Sequence, residues 1–65
     1  MIVLTWQARQ KKSISLVELE KLTGISKSTL NNIENGITSP TLIQLEAIAR
    51  ALDVKMTELF ESKYK

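Results

Sequence analysis

Neither a cysteine nor a histidine occurs in this chain of 65 residues, and that absence constrains the fold more than any residue present. Domains this short bury a modest share of their surface and commonly rely on a disulfide or a structural zinc. Composition rules out both staples, so stability has to come from secondary-structure elements packed around one continuous core, and a single domain over residues 1–65 is expected. No metal or other cofactor is expected, and a chain without cysteine fits a reducing cytoplasm. With 43% hydrophobic and 25% charged residues, the composition favours a globule over a disordered segment. The apolar opening Met1-Ile2-Val3-Leu4 gives way at once to Thr5, Gln7, Arg9 and Gln10, too short a run for a signal peptide or a membrane span.

The only proline and both glycines fall at element boundaries. Ser15-Leu16-Val17-Glu18 has the capping-box spacing, in which the serine hydroxyl accepts from the third helical amide while the glutamate reaches back to the cap amide. A helix is therefore predicted from Leu16, with Leu16, Leu19 and Leu22 at helical spacing and Gly24 supplying the left-handed stop. Ser26 is an N-cap type only two residues later, so the next helix starts at Lys27 and ends near Asn35-Gly36. Thr41 and Gln44 form a second capping box after Pro40, opening a helix with a predicted buried stripe of Leu42, Leu45, Ile48, Ala49 and Leu52. Asp53 ends it, at a position where glycine or asparagine is more usual. A ragged first helix over Val3 to Lys12 and a short last one over Met56 to Glu61, with Met56, Leu59 and Phe60 inward, complete the expectation. The fold class is all α, a compact bundle of five helices.

Charge and polarity are unevenly spread. Arg9, Lys11, Lys12, Lys21 and Lys27 lie in the first 27 residues against Glu18 and Glu20, whereas Glu34, Glu46, Asp53, Glu58 and Glu61 face Arg50 and Lys55 between Ser28 and Glu61. Such an asymmetry orients a domain near a polyanion; a solvated surface is the plainer alternative. Projection of the third helix puts Leu30 and Ile33 on one side with Thr29, and Ser28, Asn31, Asn32 and Asn35 on the other, with Lys27 at their edge. Three asparagines are poor choices for a helix surface with no task, although any exposed face can carry them.

The run from Ser15 to Gly36, containing Leu-Thr-Gly-Ile-Ser and Ile-Glu-Asn-Gly, resembles the helix-turn-helix of the Cro and phage-repressor family, also known as the xenobiotic response element family. Ser-Pro-Thr-Leu, Ile-Ala-Arg-Ala-Leu and Glu58-Leu59-Phe60 follow in the family's order, so the likeness covers nearly the whole chain. It implies a lambda-repressor-like fold and a transcriptional regulator, more a repressor than an activator, that binds double-stranded DNA. Two helices joined by a tight turn, the second exposing a short polar face, suit a major groove about 12 Å wide. Asparagine presents a donor and an acceptor together to an adenine edge. Base reading is accordingly assigned to Lys27, Ser28, Asn32 and Asn31, while Thr29 either adds a methyl contact or packs. Ser26, Asn35, Thr38 and Ser39, with amides at the starts of the second and third helices, are assigned to phosphates. Lys11, Lys12 and Lys21 are either long-range attractors or solvated charges. By the same resemblance, Arg9 forms a structural ion pair with Glu34.

Several positions depart from the family pattern. Leu16 stands where the family has a phosphate-contacting glutamine. Glu20 replaces an alanine at the close approach of the two motif helices, so its stem is expected to bend outward. Ile37 and Thr38 replace basic loop residues. Modest affinity with a shallow salt dependence follows. Should Leu16 and Ile37 form one exposed apolar patch, the alternative is an antitoxin-like or adaptor module that meets another protein. An enzyme fares worst, since a bundle this small leaves no volume for a catalytic pocket beyond its core. Family members pair on palindromic operators, and the surface expected to join a homodimer is the C-terminal segment with Leu59, Phe60 and Tyr64. No small-molecule effector is implied.

Overall fold

A computed structural model describes all 65 residues. The chain runs β1 (Ile2–Val3), α1 (Thr5–Lys11), α2 (Leu16–Thr23), α3 (Lys27–Glu34), α4 (Leu42–Leu52), a 3-10 turn (Met56–Leu59) and β2 (Phe60–Glu61). The predicted punctuation accounts for most boundaries. Ser15 and Glu18 exchange both bonds of a capping box, as do Thr41 and Gln44, and the Ser26 hydroxyl accepts from the Thr29 amide. Gly24 ends α2 at φ 76°. A Cβ built there meets nothing within 4 Å, so the glycine is required by its backbone conformation and not by crowding. Asp53 adopts φ 55° at the end of α4.

Around one core, Leu19 of α2, Leu30 and Ile33 of α3, Leu45, Ile48, Ala49 and Leu52 of α4, Ala8 of α1 and Leu59 are buried. Removing each such leucine or isoleucine side chain from water contributes about 1.5–3 kcal/mol. α2 packs against both α3 and α4, and α1 lies across α3 and α4.

Three expectations are corrected. The closing segment is not a fifth helix: four residues form a 3-10 turn, after which Phe60 and Glu61 extend and pair antiparallel with Val3 and Ile2. A single turn forms one hydrogen bond for several fixed dihedrals, whereas the extended ends satisfy each other's backbone, helped by the Leu4 amide donating to the Leu59 carbonyl at 2.8 Å. The same pairing takes Ile2 and Val3 into β1, so α1 starts at Thr5 and the fold is four α-helices with a small two-stranded sheet. In α4, Leu42 is 75% exposed and outside the buried stripe, because it occupies the first helical position, beyond the end of the core. Leu22 is likewise exposed.

Candidate nucleic-acid interface

The turn between α2 and α3 is fixed by short local bonds. Thr23 Oγ1 donates to the Leu19 carbonyl at 2.7 Å and accepts from the Ile25 amide at 3.1 Å, while the Gly24 amide donates to the Glu20 carbonyl at 2.8 Å. Ile25 packs against the core, so the chain enters α3 at a set angle. At the start of α3 the Glu20 carboxylate does not bend away. Its Oε2 accepts from the Lys27 amide at 2.9 Å, an attachment between the motif helices that sequence reasoning missed. The signal available was a carboxylate one turn before Gly24, but nothing local shows that the chain folds back far enough for it to meet an amide seven residues on.

From this base α3 buries Leu30 and Ile33 and leaves Lys27, Ser28 and Asn31 exposed; Asn32 is half-buried. The Asn32 carbonyl accepts from the amides of both Ile37 and Thr38, at 2.9 and 3.3 Å, which folds the following loop onto the end of α3. Asn35, Thr38 and Ser39 are exposed there and border a cleft shared with Met1, Ile2 and Val3. The Ser26 hydroxyl is occupied within the cap, accepting from the Thr29 amide and donating to Thr29 Oγ1 at 2.9 Å. Thr29 is thereby half-buried and engaged through its hydroxyl.

Arg9 and Glu34 lie behind the polar face. Nε and Nη2 of Arg9 donate to the two carboxylate oxygens at 2.7 and 3.1 Å, and Nη1 donates to the Ile14 carbonyl at 3.0 Å. The two side chains are 10% and 5% exposed, so this side-on pair ties α1 to α3 and fixes how far α3 stands from the body.

Lys11 and Lys12 lie elsewhere, lining a cleft of about 270 Å³ with Asp53 and Glu58. Leu16 is half-buried and packs against the core, whereas Ile37 is exposed; the two do not make the exposed apolar patch on which the adaptor reading depended.

The profile of the helix-turn-helix family matches residues 7–59. Over 56 residues the chain is 38% identical to the HTH-type transcriptional regulator SlrR of Bacillus subtilis, covering 85% of this chain and 37% of SlrR. Over 60 residues it is 37% identical to the HTH-type transcriptional regulator SinR of the same organism, covering 91% of this chain and 54% of SinR. It thus spans about half the length of these relatives or less. The crystal structure of SinR, a master regulator for biofilm formation, in complex with DNA superposes with a TM-score of 0.80 at 34% identity, covering 88% of this chain and 92% of that one. With the motif geometry, the profile match and these relatives in agreement, the chain belongs to the helix-turn-helix family.

Proposed function

We propose that this domain binds double-stranded DNA sequence-specifically and regulates transcription, with α3 in the major groove. The observation that carries the proposal is the outward polar face of α3, held at a fixed angle by the Thr23–Gly24 turn and backed by the Arg9–Glu34 pair. Lys27, Ser28 and Asn31 meet base edges, with Asn32 reaching them from its half-buried position. Bidentate hydrogen bonds from asparagine to adenine give the discrimination. Asn35, Thr38 and Ser39 contact phosphates from the loop before α4, whereas the Ser26 hydroxyl, expected from the sequence to join them, is spent on the α3 cap and is left out of that set. The family membership and the DNA complex of SinR support the same reading.

Repression is the expected direction, because a bound domain can block a promoter by occupancy alone. No helix is long and apolar enough to cross a membrane, and the proposal places the protein in the cytoplasm with the DNA. Two copies would read a palindrome whose half-sites are about 34–36 Å apart, comparable to the 32 Å longest dimension of one protomer. The face around Met1, Ile2 and Tyr64 suits that pairing, since Tyr64 is 86% exposed and shares a shallow cleft with both. Leu59 is fully buried and is excluded from it.

Selection of bound duplexes from a random pool tests the proposal. A palindromic consensus is expected, with relaxed preference at one position per half-site for Asn31→Ala or Asn32→Ala; failure to retain any duplex even at low salt would refute it.

A further inference from the structure

The first turns of the three capped helices are occupied differently. In α2 and α4 the N-cap hydroxyl takes the third helical amide, that of Glu18 or Gln44, and the amides of Leu16 and Val17 or of Leu42 and Ile43 have no partner within the chain. In α3 the Ser26 hydroxyl takes the Thr29 amide, but the Lys27 amide is also taken, by the Glu20 carboxylate at 2.9 Å. Only the Ser28 amide stays open in that turn. No lysine or arginine lies within ion-pair distance of Glu20. Glu20 therefore forms no ion pair, and its negative charge sits against the positive end of the one helix that would enter a groove walled by phosphates.

Free amides and the dipole make a helix N-terminus an anion site. A carboxylate already seated there fills the site and repels a second anion. We propose that Glu20 is a specificity-determining positioning residue: by closing the first amide of α3 and placing a charge beside it, Glu20 denies the DNA backbone an anchor on the reading helix. A non-specific complex is held by phosphate contacts alone, so it loses the full value of that anchor. In the matched complex the end of α3 faces base edges, where no phosphate would use the anchor, and the loss is smaller. The net effect is wider discrimination at the expense of total affinity. This inference rests on the reading of α3 given above.

The test uses the full chain with a selected duplex and a random duplex of equal length, titrated over a series of salt concentrations. Glu20→Gln keeps an acceptor for the Lys27 amide and removes the charge; Glu20→Ala removes both. Both variants are expected to bind the random duplex about three- to tenfold more tightly at low salt. The slope of log affinity against log salt should steepen by up to about one, with a smaller gain on the selected duplex. A purely structural cap would behave otherwise: Glu20→Gln would match the wild type at an unchanged slope, and Glu20→Ala would lose affinity for both duplexes in parallel with its melting temperature. That result overturns the inference while leaving the DNA-reading proposal intact. A wild-type chain that prefers no duplex removes both.

Discussion

Arg9 and Glu34 are 25 positions apart, and each can be buried only because the other is there. Truncating Glu34 to alanine leaves the Arg9 guanidinium with a single carbonyl partner, and breaking a buried pair in this way costs about 3–5 kcal/mol. Since a domain of this size has a total stability of only about 5 kcal/mol, urea titration should find Glu34→Ala largely unfolded near 37 °C. The paired replacement Arg9→Met with Glu34→Leu should recover much of the loss, because it removes both charges together. Thr5 presents the opposite case. Its hydroxyl is the one buried side-chain polar atom with no hydrogen-bond partner, so Thr5→Val should raise the urea midpoint, by about 1 kcal/mol in stability. The ion pair could be anticipated, because the family resemblance supplied it. Thr5 gave no signal: in the irregular pattern of Val3 to Lys12 a threonine reads as surface.

Two helices end on residues other than glycine in the left-handed region, Ser13 and Asp53, both at φ 55°. In each the amide just after the left-handed residue turns back to a carbonyl of the last helical turn, Ile14 to Arg9 at 3.2 Å and Val54 to Ala49 at 3.0 Å. A Cβ is strained in that conformation. Ser13→Gly and Asp53→Gly should therefore each stabilise the fold by about 0.5–1 kcal/mol, additively, in chemical denaturation. Gly24→Ala should cost about 1 kcal/mol for the same reason. Where an element is marked by two residues at fixed spacing, as with Ser15 and Glu18 or Thr41 and Gln44, the sequence was enough to place it. Asp53 was also readable as a left-handed stop, whereas Ser13 was not, because nothing in Lys11-Lys12-Ser13 separates a helix end from a continuing polar face. The segment Met56 to Glu61 failed for a different reason. Six residues are too few to show a period, and the strand formed there depends on Ile2 and Val3 at the far end of the chain.

Viewed whole, the molecule engages three of its nine basic side chains away from the outward polar face of α3. Lys11 and Lys12 share a cleft with Asp53 and Glu58, and Arg9 is neutralised inside the fold. Lys11→Ala and Lys12→Ala should thus change affinity for a selected duplex by less than about threefold in a binding titration at physiological salt. The clustering of basic residues early in the sequence suggested one positive end, but linear position does not show which charges a fold buries or pairs with acids. Position along α3 was more informative, because a helix converts spacing into a face directly: Leu30 and Ile33 go inward, Lys27, Ser28 and Asn31 outward. What spacing could not supply was Glu20 at the Lys27 amide, a contact created only when α2 and α3 fold back on one another. Nuclear magnetic resonance titration of the isotope-labelled chain with a selected duplex locates the bound surface residue by residue. The largest changes should fall on the backbone of Lys27 to Asn32 and on the side-chain amides of Asn31 and Asn32, and should reverse at high salt. Changes centred on Phe60 to Tyr64, with α3 unperturbed, would contradict the placement of α3 in the groove.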